Sequence, residues 1–188
     1  MTNIPDELIY KAARGDMKAF EEIFKLASGF VYAVSYRVTR NRADAQEAAQ
    51  DVFLKVHRNL GKFEEGTSFK AWIYRITVNT AINYYNRRKR HMMRQGDFEL
   101  AELTEGTDPE VDARMEKEEK EKKISELLGK LNPDQRACIV LRAIEGLSYE
   151  EIAKALNVKI NTVRTRLKRA REILMKYTEQ EEARNEMQ

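Results

Sequence analysis

Ser148-Tyr-Glu-Glu-Ile-Ala-Lys-Ala-Leu-Asn157-Val-Lys-Ile-Asn161-Thr-Val-Arg-Thr-Arg-Leu-Lys-Arg-Ala-Arg-Glu-Ile-Leu-Met-Lys176 reads as two helices joined by a tight turn. Ser148 and Glu151 have the spacing of a capping box, in which each side chain bonds the other's backbone N–H, so a helix starts at Tyr149. Ile152, Ala153 and Leu156 form its inward stripe. Asn157 suits the turn, because asparagine tolerates positive φ better than most residues. Asn161 or Thr162 is expected to cap a second helix, with Val163, Leu167, Ala170 and Leu174 facing inward. Its other positions carry Arg164, Arg166, Lys168, Arg169, Arg171 and Lys176 against one acid, Glu172. A basic amphipathic helix placed second after a short turn is the helix-turn-helix geometry that enters a DNA major groove. A merely solvated basic face would not require the caps, the turn and the small Ala153 to agree with one another.

Outward from this stretch, the 188 residues suffice for one large or two small domains. A hydrophobic fraction of 42% supports packed cores. The charged fraction of 35% exceeds the roughly 25% of ordinary domains, which suggests small helical units with much surface. Net charge is only +3, but it is unevenly spread. Arg87-Arg88-Lys89-Arg90 and residues 159–176 are basic, whereas 110–121 and the tail after Thr178 are rich in Glu; local basic patches, not the total, act on phosphates. The lone Cys138 lies in an apolar run and reads as a small core residue, and one cysteine gives no internal disulfide. No stretch approaches the roughly 18 apolar residues of a membrane span, and no signal-peptide pattern opens the chain, so a soluble cytoplasmic protein is expected.

Strand patterns are almost absent, and the expected fold is all-α. Pro5 suits the first position of a short helix. Asp16 caps a second, in which Phe20, Ile23, Phe24, Ala27, Phe30, Val31 and Val34 recur at helical spacing. Asn41 caps a third, running to about Leu60. Ser68 caps a fourth, with helical order fading near His91. Residues 95–111 turn small and acidic and read as a flexible linker. A Glu/Lys-rich helix over 111–128 ends at Gly129, and Asn132-Pro133 opens another that stops at Gly146. The chain thus divides into two small helical domains, 1–94 and 112–180, the second a helix-turn-helix, followed by an acidic tail over 181–188.

Two further helices carry chemistry. From Phe69 to Arg90 the sequence interleaves aromatics, amides and cations, and Arg75, Asn79 and Asn83 follow at i+4 along one flank. Amides hydrogen-bond base edges while Arg and Lys hold phosphates, which assigns Asn79 and Asn83 to nucleic acid. Aromatics near the glycine break at Gly66 could stack on an unpaired base, whereas Trp72 reads as a core residue. In the third helix, Asp44, Glu47 and Asp51 form one acidic stripe. It is a poor phosphate surface and suits a protein partner or a solvated face equally.

Three segments together resemble one known family. Ala43–Phe53, Ser68–Asn79, and Leu147–Ala153 with Thr162–Leu167 resemble, in that order, three helical motifs of the extracytoplasmic-function sigma factors of bacterial RNA polymerase: the core-binding helix, the promoter-melting and −10-reading helix, and the −35-reading helix-turn-helix. The resemblance runs over residues 5–178. It implies that Asp44, Glu47, Gln50 and Asp51 dock on the clamp coiled coil of core RNA polymerase. The loop from Phe63 to Ser68 would receive a base flipped from the non-template strand. Asn79 and Asn83 would contact the −10 element, with Lys70 and Arg75 close to the strand. Arg142, Tyr149 and Glu150 would anchor the −35 duplex at its backbone, and Arg164, Thr165, Lys168 and Arg169 would face the groove. The implied partners are core RNA polymerase, promoter DNA and a cognate anti-sigma factor, with no cofactor, metal or catalytic residue. One departure stands out: many members have Pro-x-Gly-Thr before the recognition helix, where this chain has Lys159-Ile160-Asn161-Thr162.

Two other classes make distinct demands. A conventional repressor or activator would bind an operator without polymerase, and leaves the Arg75-Asn79-Asn83 flank unused. An enzyme acting on nucleic acid would need a site. His57 and His91 are the only histidines, no Cys/His cluster has metal spacing and no Gly-rich phosphate loop is present, while carboxylates are too numerous for counting to decide.

Overall fold

The computed structural model describes residues 4–63, 68–95 and 123–185. The helices are α1 (Asp6–Ala13), α2 (Met17–Thr39), α3 (Arg42–Asn59), which is followed by a 3-10 turn at Leu60–Lys62, and α4 (Phe69–Gln95). After them come α5 (123–129), α6 (Pro133–Ile139), α7 (Tyr149–Leu156) and α8 (Ile160–Asn185). Most of the expected 95–111 linker and the acidic segment that follows it lie outside the described residues.

The starts follow local chemistry. Asp16 accepts the N–H groups of Lys18 and Ala19 at 2.9 and 3.1 Å. Asn41 accepts that of Asp44 at 2.9 Å, and Ser68 that of Ala71 at 3.2 Å. Asn132 with Gln135 and Ser148 with Glu151 both close full capping boxes. Each bond satisfies an amide that the first helical turn leaves without a partner. Pro5 stands just before α1 rather than within it, and α4 continues past His91 to Gln95. α6 widens into a π turn over Val140–Ile144, and Gly146 ends it at φ 73°.

Two cores result. Ile9, Ile23, Ala27, Val31, Val52, Phe53, Val56, Leu60 and Ile73 close the first among α1–α4. The second gathers Leu128, Leu131, Cys138, Val140, Leu141, Ile152, Leu156, Val163 and Leu167 from α5–α8, together with Val34, Tyr74 and Val78 from α2 and α4. The N-terminal half therefore completes the core of the C-terminal half, a packing that the reading of two tethered units does not contain.

Polar groups fix this contact. The Tyr74 hydroxyl, on a fully buried side chain, donates to the Glu145 carboxylate, and Arg37 lies 3.6 Å from the same carboxylate. Without Glu145 that buried hydroxyl would lose its bond at a cost of about 1–3 kcal/mol. Arg136 is 2% exposed and donates to the carbonyls of Leu128 (2.7 Å), Leu131 (2.9 Å) and, across the interface, Val38 (2.7 Å). Its guanidinium also faces the Tyr85 ring at 5.2 Å, and burial pulls its pKa below the usual arginine value. Gly129 admits the Arg40 guanidinium: a Cβ there would stand 2.1 Å from Arg40 Nη1.

Candidate nucleic-acid and partner-protein surfaces

Helix α4 has three faces, because successive side chains turn by about 100°. Ile73, Thr77 and Thr80 are buried toward α2 and α3, and Tyr74, Val78 and Ile82 pack into the second core beside α7. Arg75, Asn79 and Asn83 occupy the third face and are all exposed. Burial elsewhere on the helix fixes the rotation of this row, so amides and guanidinium project from a rigid support. Lys70 is exposed as well, but it reaches toward the second half, with its Nζ 5.9 Å from the Tyr74 ring and its charge helping to lower the pKa of Glu151, after that carboxylate's bonds to Ser148. Ser68 caps α4. Phe63 packs edge-on against Phe69 and Trp72 at 5.5 and 5.4 Å, so Trp72 is a packing residue. Residues 64–67 of the expected base-receiving loop lie outside the described residues.

The helix-turn-helix forms as read, with one correction. Asn157 sits at φ 52°, and its N–H and that of Val158 bond back to Lys154 and Ala153. The second helix begins at Ile160, so neither Asn161 nor Thr162 caps it. The Lys159 carbonyl takes the Thr162 and Val163 N–H groups at 2.9 and 3.3 Å, which draws Asn161 inside the first turn. Val163, Leu167 and Ala170 are fully buried, while Arg164, Thr165, Lys168 and Arg169 are exposed.

These exposed groups are differently held. Arg164 Nη1 donates to Asn161 Oδ1 at 3.0 Å. The Thr165 hydroxyl donates to the Asn161 carbonyl at 2.9 Å, and so spends its proton within the helix. Lys168 is 3.9 Å from Glu172. Arg166 pairs with Asp134 at 3.0 Å and is thereby tied to α6. At the entry to α7, Arg142 donates to the Leu147 carbonyl at 2.9 Å and its guanidinium faces the Tyr149 ring at 5.4 Å. Arg171 reaches from α8 to donate to the Tyr149 hydroxyl at 3.2 Å. Tyr149 thus stands between two cations, and Glu150 is exposed beside it. Arg171 as a support for Tyr149 was not legible from sequence, since no local spacing links the two positions.

On α3 the acidic stripe is split. Asp51 accepts the Tyr84 hydroxyl at 2.9 Å, and Asp44 lies 3.7 Å from Arg88, so both acids bind α3 to α4. Burial raises the Asp44 pKa above its usual value, and the Arg88 charge opposes that only in part. Glu47 and Gln50 point outward, followed on the same helix by Leu54, which is 54% exposed. Phe24, 45% exposed, packs on Phe53 at 4.5 Å alongside. An acid, an amide and open apolar side chains make a surface for protein rather than for phosphate.

Known proteins share this organisation. The sequence profile of Sigma-70 region 2 matches residues 23–91, and that of Sigma-70 region 4 matches residues 121–174. The RNA polymerase sigma-H factor of Pseudomonas aeruginosa is 35% identical over 179 residues, covering 90% of this chain and 91% of that protein. The ECF RNA polymerase sigma factor SigW of Bacillus subtilis is 31% identical over 89% of this chain and 93% of its own length. Among solved structures, the sigma factor RpoE of Bartonella quintana, in complex with the anti-sigma factor NepR, superposes with a TM-score of 0.67. That match is 23% identical and covers 87% of this chain and 98% of the other, a likeness of fold.

Proposed function

The chain belongs to the extracytoplasmic-function class of RNA polymerase sigma factors, and on that premise we propose that its two halves divide one promoter between them. As an alternative sigma factor it recognises −10 and −35 promoter elements for transcription initiation. The C-terminal half, 112–180, holds the −35 duplex: Arg142, Tyr149 and Glu150 at the backbone, and Arg164, Thr165, Lys168 and Arg169 in the groove. The N-terminal half, 1–94, takes the −10 element as single strand. Asn79 and Asn83 read bases and Arg75 holds the strand, with Lys70 joining once the halves part. Phe63 and Ser68 flank the pocket for a flipped base, whose unpairing costs a few kcal/mol. Asp44, Glu47, Gln50 and Asp51 meet core polymerase, and Leu54 and Phe24 extend that contact. Residues 95–111 are the tether and 181–188 an acidic tail.

The exposed Arg75-Asn79-Asn83 row carries this reading. Its helix is covered on its other two faces, so the row has no packing role, and a repressor of duplex operators has no use for it. The protein itself performs no catalysis. It works in the cytoplasm, and among the described residues no helix is long and apolar enough to cross a membrane. A cognate anti-sigma factor is a further partner, a reading supported by the NepR complex of the Bartonella relative.

The closed packing sets a physical condition. Helices in contact lie about 8–10 Å apart, so α8, one layer beyond α7, is within roughly 20 Å of α4. Elements centred near −35 and −10 are separated by about 85 Å of duplex at 3.4 Å per base pair. The closed molecule spans no such distance, so the halves separate on core polymerase. Holding both on one enzyme then raises the effective concentration of the second contact.

In vitro transcription tests the proposal. Core polymerase with this protein should initiate from a restricted set of genomic promoters, and the protein alone should melt none of them. Asn79→Ala should reduce permanganate-detected opening by about tenfold while leaving closed-complex affinity nearly unchanged. An equal loss in both would remove the −10 assignment, and melting without polymerase would contradict the division of labour.

A further inference from the structure

The Asn161 side chain lies inside the first turn of α8, where the Lys159 carbonyl already takes the Thr162 and Val163 N–H groups. Its Oδ1 instead accepts the Arg164 Nη1 proton at 3.0 Å, one turn further along the exposed face. We propose that Asn161 is a positioning residue for −35 specificity: it holds the Arg164 guanidinium ready to read a guanine. The inference rests on the −35 reading of α8 given above.

Three observations support it. The first concerns place. α8 starts at Ile160, so Asn161 and Arg164 both lie at the N-terminal end of the second helix of the motif, the end that meets base edges in the major groove. The second concerns charge. Arg166 is neutralised by Asp134, and Lys168 has Glu172 beside it, whereas Arg164 is held by a neutral amide. An amide oxygen orients a guanidinium without cancelling its attraction for DNA. The third concerns geometry. One terminal nitrogen is engaged by Asn161, while the edge formed by Nε and Nη2 remains for a bidentate bond to guanine O6 and N7. The Thr165 proton is engaged by the Asn161 carbonyl, so that exposed hydroxyl has no proton to offer a base and Arg164 is the long donor at this level of the helix.

An arginine free to sample its rotamers would spend binding energy on ordering. Fixing it beforehand is expected to sharpen discrimination about two- to tenfold. The holoenzyme, assembled from core polymerase and the full chain, is tested against a promoter library randomised across the −35 element. Arg164→Ala should abolish a guanine preference at one base pair. Asn161→Ala should weaken the preference at that same base pair by about two- to tenfold. The double variant should match Arg164→Ala alone, because the two side chains act as one unit. Asn161→Asp keeps an acceptor at the same reach and should restore the preference even if overall affinity falls. A purely structural role for Asn161 would not produce that rescue. Circular dichroism checks that each variant keeps its helix content, as expected for exposed positions.

The proposal is overturned if Asn161→Ala alters a different base pair, alters none, or adds independently to Arg164→Ala. If Arg164→Ala itself leaves every −35 preference intact, the −35 reading of this face fails first, and the proposal with it.

Discussion

Asp44 answers two demands. It lies in the first turn of α3, where a negative charge is favoured by the helix N-terminus, and Arg88 stands 3.7 Å away. Yet it is mostly covered, and burial raises its pKa above the ordinary carboxylate value. With the folded pKa above the unfolded one, protonation favours the fold. Stability linked to this group is complete below the unfolded pKa and is lost as pH rises through the folded one. At neutral pH the charged form is therefore a burden on the isolated protein, consistent with a group kept for a partner. Asp44→Asn should melt at a slightly higher temperature at pH 7, lose this acid-range dependence, and bind core polymerase more weakly. Melting curves from pH 3 to 7 and a pull-down check the two halves of that statement; a variant less stable at pH 7 would oppose it. The acidic stripe was legible because Asp44, Glu47 and Asp51 recur at helical spacing. That Arg88 and Tyr84 take up two of its acids was not, since those pairings depend on how α4 crosses α3.

Helix starts were the most legible elements, because a cap and its amide lie two or three residues apart and no tertiary context is needed. Asp16, Asn41, Ser68, Asn132 and Ser148 all cap as read. Asn161 did not, although asparagine is a strong capping residue. The carbonyl of Lys159 starts the helix sooner, and the amide bonds Arg164 instead. Capping also predicts energetics. Ser148→Ala removes the acceptor for the Glu151 N–H, at 3.2 Å, and opens the capping box. It should destabilise the C-terminal half by about 1 kcal/mol in denaturant unfolding, whereas Asn157→Gly, at φ 52°, should cost little. No measurable loss for Ser148→Ala would mean that the first turn of α7 is held by packing on α4 instead. The three faces of α4 were only partly legible. The spacing of Phe69, Trp72, Ile73, Ile76 and Thr80 marks one inward side, but not the second, on which Tyr74, Val78 and Ile82 enter the other core.

At the scale of the molecule, the two halves form one packed body within the described residues. The sequence carries this in residues that look ordinary alone: Arg37, Tyr74, Arg136 and Glu145. The contact has weak points suited to release. Arg136 is a buried cation held by carbonyls and a ring rather than by a carboxylate, and Arg40 beside it adds repulsion. Buried charge of this kind costs stability. Glu145 offsets part of that by serving Tyr74 and Arg37 together. Glu145→Ala should expand the free protein in small-angle scattering while helix content stays constant, and an unchanged radius of gyration would assign closure to the apolar cluster alone. The central claim is that two nucleic-acid surfaces rest together in the free chain and are drawn apart on polymerase. Fluorescence energy transfer between labels at Met17 and Met175, both 61% exposed, measures it directly. The account predicts a large drop in transfer when core polymerase and promoter DNA, whose two elements lie about 85 Å apart, are added to the free protein. Transfer that is unchanged on adding both would contradict it.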